Sequence, residues 1–492
     1  QASEAVVSEV PVITQERESR AIETPRPASR PFAASAGADV NTVMSAHMQL
    51  MRTYLSGMAG TASGDASLGE TLAGESRPAP QAEARLPSGK IDPDAAHRDA
   101  MEVRAKFSGI ELSRETLSSQ QRQFIDELAA RFAARFPSAK AQAQAGREHL
   151  ADWKYSLQFK SDLKELRFPI VCERAEGARF SDIDGNEFVD ITMGMGVHYF
   201  GHSPEFINAA VRAQIDRSSA LGPQAERATR VAQKLCAMTG HDRAALFVTG
   251  SDAVMLALRI VRAARRRNKV VIFGGAYHGI CSEVLAAQGE HGSIVMSPGI
   301  PPQTVEDIVV LDYDAPESLQ RIEAMADELA AVMVEPVQSR NPALQPQRFL
   351  RQLRALCTEK GVPLIFDEMV NGFRQAPGGM QEWFGVKSDM STYGKIIGGG
   401  YPLSVVSGTA ELMQWIDGGQ WHYGDDSAPL TDSISTGGTH NKHPIALAAA
   451  EAVLDHLKDN PQLAGAVRAR MHRLADRINV YFERESVPLR LT

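Results

Sequence analysis

Apolar positions in the second half of the chain follow two alternating rhythms. Short apolar runs occur at Ala244–Thr249, Lys269–Phe273, Ile308–Leu311, Ala331–Val334 and Pro363–Phe366. Runs this short, bounded by turn residues, predict strands buried on both faces. Between several of them lie stretches with apolar residues three and four apart, as in Ala253–Arg266 and Phe349–Glu359, which predict helices. Such alternation predicts an α/β fold whose mainly parallel sheet carries helices on both faces. Upstream, Ser118–Phe136 reads as an amphipathic helix. The stretch from Arg179 to Ile191 reads as two short strands around an Asp184-Gly185 turn. No internal repeat is present.

The first part of the chain has a different texture. Residues 1–37 are rich in Glu, Ser, Pro and Ala and predict a disordered linker, because they cannot bury enough apolar surface to offset the entropy of ordering. Residues 38–58 predict an amphipathic helix. Met44, Met48, Met51 and Leu55 share one face, with Asn41 or Thr42 as cap. That face packs either on the chain's own core or on a partner. Residues 59–112 return to Gly, Ser, Ala and Pro and predict a second linker.

Composition narrows the partners. With 492 residues, the chain is long enough for two or three domains. A net charge of -8 argues against nucleic acid as the main partner. No uncharged apolar run reaches the roughly 18 residues of a membrane span. Cys172, Cys236, Cys281 and Cys357 are scattered and form no CxxC pair, which fits a reduced, cytoplasmic setting. Gln1 has no basic segment and no signal peptide behind it, so the expectation is a piece of a longer polypeptide.

In a parallel sheet of this kind, ligands gather outside the carboxyl ends of the strands. After Ala244–Thr249 comes Gly250-Ser251 at a helix start, either an anion site or a plain cap by Ser251 with Asp252 in the first turn. After Lys269–Phe273 comes Gly274-Gly-Ala-Tyr-His-Gly279. There Tyr277 is placed to stack on a flat ring with His278 within reach, unless the loop is an ordinary buried one. After Pro363–Phe366 comes Asp367, a carboxylate that needs a buried partner: Arg374 in a structural ion pair, or a protonated pyridine nitrogen. Farther on, Lys395 sits between apolar residues and the Gly398-Gly399-Gly400 triplet. Desolvation lowers a lysine's pKa and makes the amine a nucleophile, and the glycines leave room for a bulky group. His198 and His202 are four apart but lack a third ligand, so zinc is not expected.

Taken in order, Gly250-Ser251, Tyr277-His278, Asp367 and Lys395 resemble the class III aminotransferases of pyridoxal-5′-phosphate fold type I, including glutamate-1-semialdehyde aminomutase. LFVTGSDAVMLALRIVRAAR, AYHG, AAVMVEPVQ, LIFDEMVNGFR, TYGKIIGGGYP and GGTHNKHPIALAAA match that family's blocks over roughly residues 115–492. ELRFPIVCERAEGARFSDIDGNEFVDITMGMG, EPVQSRNPALQP and DGGQWHYGDDSAP are closer still to aminotransferase domains embedded in hybrid polyketide/nonribosomal peptide synthases. The resemblance implies an N-terminal segment at 113–225, a large cofactor-binding domain at 226–440 around a seven-stranded sheet, and the start of a smaller C-terminal domain at 441–492. It implies pyridoxal 5′-phosphate held as a Schiff base by Lys395, which also shuttles a proton. It implies that Asp367 pairs with the pyridinium, that Tyr277 and Met369 take the two ring faces, and that Gly250 and Ser251 bind the phosphate. His278 and Glu335 would lie near the cofactor, and Thr439 would reach the phosphate from the second subunit of a homodimer.

Departures from the pattern matter too. Met369 stands where many members have Glu or Val, which makes its contact with the ring a softer one. Arg340 stands where ornithine-type enzymes place a gating Glu, which leaves a surface salt bridge or a donor-carboxylate contact as its role. The family normally continues well past Thr492, so the expectation is a truncated small domain. The activity implied is transfer of an amino group from glutamate or glutamine to a β-ketoacyl thioester on a carrier protein. The alternatives are an aminotransferase or aminomutase acting on a free ketone or semialdehyde, and a dimerisation module without catalysis.

Overall fold

A computed structural model describes residues 117–155, 159–290 and 292–491. The expected linkers at 1–37 and 59–112 and the expected helix at 38–58 lie outside the described residues.

The described chain opens with helix α1 (Ser119–Arg135), capped by Ser118 and Gln121 in a reciprocal capping box. Helix α2 (Pro137–Gly146) follows. Strands β1 (Cys172–Glu176), β2 (Arg179–Asp182) and β3 (Glu187–Val189) form a small antiparallel sheet. Asp184, in the β2–β3 turn, accepts the Ser138 and Ala139 N–H groups at 2.7 and 3.0 Å. One turn carboxylate thus satisfies free N–H groups at the N-terminus of α2, while Asp182 holds the turn by accepting the Asp184 and Asn186 N–H groups.

The large sheet has seven strands. They are β4 (Arg243–Phe247), β5 (Lys269–Phe273), β8 (Ile308–Leu311), β9 (Leu329–Val334), β10 (Leu364–Asp367), β11 (Met390–Tyr393) and β12 (Ser404–Gly408), in the spatial order β4-β12-β11-β10-β9-β5-β8. A separate hairpin pairs β6 (Ala286–Gln288) with β7 (Ser293–Val295). Only β12 runs antiparallel to its neighbours β4 and β11. The five expected strands are all present. β11 and β12 were not expected as strands, because Ser391, Thr392, Ser404 and Ser407 interrupt their apolar pattern while lying fully buried. Those hydroxyls are hydrogen-bonded, so their burial is tolerated.

Side chains alternate across the sheet as the pleat requires. Val270, Ile272, Ala331, Met333 and Ile365 pack on one face beneath helix α3 (Gly250–Arg265). Val271, Phe273, Val332, Val334, Leu364 and Phe366 face the other way, against α4 (Gln347–Glu359). The two-sided cover explains why these strands read as unbroken apolar runs. A third cluster joins α5 (Glu205–Arg217), α6 (Arg227–Thr239) and α7 (Pro444–Asp459) to Leu246, Tyr393 and Val405.

At the α6–α7 contact, Glu451 is buried and receives Arg230 Nε at 2.7 Å and Lys234 Nζ at 3.1 Å, with Arg227 on its other oxygen. Burial alone would raise the carboxyl pKa, but the bonds and charges of Arg230 and Lys234 outweigh it and hold the group at about 2. Because the folded-state value lies below the unfolded one, this stabilisation is full above about 4.5 and is lost as pH falls towards about 2. Glu451→Ala is expected to cost about 3 kcal/mol near neutrality. Denaturant unfolding across acid pH should show the gap between wild type and variant closing as the solution is acidified.

Candidate active site

A cavity of 410 Å³ opens at the carboxyl ends of the parallel strands, and seven of the eight other positions singled out in sequence line it with Lys395: Gly250, Ser251, Tyr277, His278, Glu335, Asp367 and Met369. The eighth, Thr439, lies in an exposed loop and does not line the cavity of its own chain.

Asp367 is the last residue of β10 and only 2 % exposed. One oxygen accepts Thr392 Oγ1 at 2.8 Å and the Met369 N–H at 3.1 Å. The other pairs with His278 Nδ1 at 2.7 Å. Burial would push the Asp367 pKa up. The His278 bond and charge and the Thr392 hydroxyl more than compensate, so the carboxyl stays below its ordinary range. The alternative of an Arg374 ion pair is not realised. Arg374 instead donates to the Gly196 and Val370 carbonyls at 2.8 and 3.2 Å, and its guanidinium lies over Tyr199.

His278 is nearly fully buried, and its Nε2 has no hydrogen-bond partner. Nδ1 is taken by Asp367, so Nε2 is a buried ring nitrogen left without a partner on a residue of the cavity wall, a sign that a polar ligand belongs there. Glu335 is buried too, accepting the Tyr277 N–H at 3.2 Å and the Ser339 N–H at 2.8 Å. Burial first, then the charge of Asp367, raise its pKa. One carboxylate therefore fixes the backbone of the aromatic loop and of the segment that follows β9.

Ser251 is not the helix cap. Thr249 caps α3 in a capping box with Asp252, which leaves the Ser251 hydroxyl to accept the Ile280 N–H at 2.9 Å. Gly250 and Ser251 are thus the first two helical residues, where backbone N–H groups point outward without intrahelical partners. The next loop passes close: a Cβ on Gly279, whose φ is +92°, would come within 2.6 Å of Ser251 Oγ.

Lys395 follows β11 in a left-handed conformation with φ 45°, a strain of about 1 kcal/mol that the flanking glycine turn maintains. Burial lowers its pKa, and Arg374 adds to this, while Asp367 and Glu335 pull the other way. Met369 fills the space between Gly250 and Gly394. A Cβ on Gly394 would overlap the Met369 sulfur, and one on Gly250 would sit 3.0 Å from it. The Gly398–Gly400 triplet does less for the cavity than expected. Gly399 is needed for close packing against Ile207 and Val453, and only Gly400 lines the cavity.

Sequence reading missed several wall residues. Thr392 stands opposite Asp367 in the β10–β11 register, information that no local motif carries. Val197, Val370 and Tyr401 also line the cavity without a signature of their own. The His198 and His202 rings lie 4.5 Å apart, tilted by 45°, and His202 bonds Asp190 at 2.9 Å.

These residues fit pyridoxal 5′-phosphate. Free N–H groups at a helix start suit a phosphate. A buried, negatively charged Asp367 suits a pyridinium, a desolvated Lys395 suits an aldehyde carbon, and Tyr277 and Met369 offer surfaces for a flat ring.

Comparison with known proteins agrees. The family model "Aminotransferase class-III" matches residues 161–487. The chain is 38% identical over 318 residues to a glutamate-1-semialdehyde 2,1-aminomutase of Rhodopirellula baltica, covering 63% of this chain and 68% of that one. Among solved structures it is similar to a β-phenylalanine aminotransferase from Variovorax paradoxus (TM-score 0.62, 28% identity, 74% of this chain and 79% of that one). It is also similar to an omega-transaminase from Sphaerobacter thermophilus (TM-score 0.58, 28% identity, 66% and 74%). Family, fold and cavity converge: the chain belongs to the class-III aminotransferases and is a pyridoxal-5′-phosphate-dependent enzyme of that family.

Proposed function

We propose that this enzyme moves an amino group from an amino acid, glutamate or glutamine, to a β-ketoacyl thioester held on a carrier protein. The observation that carries the transfer chemistry is the gathering of Asp367, Lys395 and the α3 start around one cavity. The carrier-bound acceptor is supported by the resemblance of the segments around Cys172, Arg340 and Trp421 to synthase-embedded domains.

Pyridoxal 5′-phosphate supplies, when bound, an electron sink for the pair left by a broken Cα–H bond. Asp367 would hold its ring nitrogen protonated, with His278 and Thr392 keeping the carboxylate aimed and ionised. Gly250 and Ser251 would hold the phosphate, far from the reacting carbon. Tyr277 and Met369 would cover the ring faces and exclude water. Lys395 Nζ, its pKa lowered by burial, would take the proton from the donor's Cα and return it on the far side of the donor's nitrogen, two atoms away. The donor leaves as its 2-oxo acid and the ketone becomes an amine, so no outside oxidant or reductant is needed.

A homodimer is part of this reading. Thr439 sits in an exposed segment that also presents Trp421, Tyr423 and Leu430 to solvent, apolar groups suited to a second copy. Among the described residues no helix is long and apolar enough to cross a membrane, and the proposed location is the cytoplasm. The residue boundaries 113–225, 226–440 and 441–492 complete the proposal. A second reading, an aminotransferase or aminomutase acting on a free small ketone or semialdehyde, is favoured by the identity to the Rhodopirellula baltica protein.

Three outcomes are expected. Carrier-bound β-ketoacyl chains incubated with glutamate or glutamine should acquire the mass of the amine. Turnover of free ketones or semialdehydes at comparable rates would replace this reading with the second. The yellow absorbance of the purified protein should bleach with the amino donor, and Lys395→Ala should reduce turnover by about 10³-fold or more. Gly394→Ala should impair cofactor retention by pushing on Met369, and the double variant with Met369→Val should recover it; an unaffected single variant would show that the Met369 contact is unimportant.

A further inference from the structure

A basic run, Arg262 to Lys269, closes helix α3 and leads into β5, and most of its cations are committed. Arg262 pairs with Glu283 and donates to the Asn268 carbonyl at 2.9 Å. Arg267 donates to the Asp327 carbonyl at 2.6 Å, and Lys269 pairs with Glu328. Arg265 differs. It forms no ion pair with any described residue, and its Nε is buried without a hydrogen-bond partner. A cation in the last turn of a helix is favourable in itself, but that leaves the buried N–H without an acceptor.

Arg265 lines a cavity of 560 Å³. Pro363 and Asp389 stand just before β10 and β11, Thr409 stands just after the antiparallel β12, and all three line it too. The cavity therefore opens at the amino ends of the parallel strands. Roughly 24 Å, the length of α3, separates Arg265 from the Gly250-Ser251 start. Within the wall, Arg354 reaches Asp389 at 2.7 Å, and the same oxygen accepts the Leu364 N–H at 2.7 Å, so that pair cancels. Lys387 and Glu411, both exposed, have no ion-pair partner among the described residues. Arg265 and Lys387 set against Glu411 leave the cavity net positive. Cys357, in the same wall, has its thiol pushed up to about 12 by burial and adds neither charge nor a nucleophile. Val362, Pro363 and Leu412 supply apolar wall, which strengthens an ion pair over one in open water. A guanidinium offers Nε and one Nη as parallel donors that match two oxygens of a carboxylate or a phosphate.

We infer that this cavity is a second ligand site, which takes a small oxyanion, a phosphate or a carboxylate, in the fork of Arg265. Lys387 adds attraction at the rim and Glu411 limits it. The inference does not depend on the donor or acceptor of the proposed function. The occupant sits against the far ends of β10, β11 and α3, the elements that lead to Asp367, Lys395 and Gly250, and binding to the folded chain alone raises its stability.

The test uses the holoenzyme, whose cofactor already fills the other phosphate site, after free cofactor has been removed. Inorganic phosphate and, separately, glutarate are titrated in by calorimetry at constant ionic strength, with the melting temperature followed in parallel. Saturable binding and a raised melting temperature are expected. Arg265→Gln should weaken binding about 10- to 100-fold. Lys387→Gln should weaken it about two- to fivefold, and Glu411→Gln should tighten it by a similar factor. Bleaching of the yellow absorbance by the amino donor should proceed in Arg265→Gln as in wild type, which shows that the variant is folded and loaded. Binding of phosphate alone assigns the site to phosphate; binding of glutarate alone assigns it to carboxylate. Saturable binding of neither probe, or binding that Arg265→Gln leaves unchanged, overturns the inference. If Arg265→Gln does not fold, the other two variants decide, and unchanged affinity in both overturns it.

Discussion

Everything in the cavity is organised around one buried negative charge. Asp367 ends β10 where no water reaches it, a position at which an isolated carboxylate would take up a proton. The fold prevents this by aiming three donors at it: the His278 ring, the Thr392 hydroxyl and the Met369 N–H. Each donor comes from a different place, namely the loop after β5, strand β11 and the turn after β10. The charge at the site is thus maintained by the order of the strands. Moving β11 by one residue would turn Thr392 to the other face and leave Asp367 short of a donor.

The neighbouring acid shows what happens without such help. Glu368 is fully buried, and burial raises its pKa to about 8 although the Met380 N–H reaches it at 2.6 Å and the Tyr393 hydroxyl at 3.4 Å. Two adjacent carboxyls, one on each face of the strand end, have their pKa values pushed in opposite directions by their surroundings. The charged one looks into the cavity towards Lys395; the other serves packing. That separation is useful, because two charges side by side in this interior would repel each other and spoil the field that a pyridinium requires.

Much of this architecture was legible in the chain. The five apolar runs became strands because burial on both faces demands the unbroken pattern they display, and the Ser118–Phe136 window matched helix α1 together with its two caps. Asp367 and Gly250-Ser251 could be found because each stands at the end of an expected strand, where parallel sheets bind ligands, and Lys395 because an amine between apolar residues and a glycine triplet is costly unless it is used. The failures have physical causes. β11 and β12 hide behind serines and a threonine whose polarity is cancelled by hydrogen bonds to Ser388, His241, the Thr249 carbonyl and Asp367. Of the two alternatives at Gly250-Ser251, the Ser251 cap gives way because Thr249 and Asp252 satisfy each other with the cap two residues earlier, a capping box that the Gly-Ser pair obscures. The pairing of Asp367 with His278 spans 89 residues and depends on β5 and β10 being separated only by β9, which no local pattern encodes.

The glycines near Lys395 show how packing and chemistry share residues. Gly399 yields its side-chain space to Ile207 and Val453, which fastens the Lys395 turn to helices α5 and α7. Gly394 yields its space to Met369, which in turn abuts Gly250 at the start of α3. The lysine, the helix start and the sheet end are therefore linked through side chains that have been removed, and Met369 is the common spacer. A larger residue at any of these glycines would move the amine relative to the anion site. Because the lysine backbone is already left-handed, it has little freedom to compensate by rotation. Rigid placement of the amine against the α3 start follows from contacts made by Met369, Ile207 and Val453, and only Met369 of the three faces the cavity.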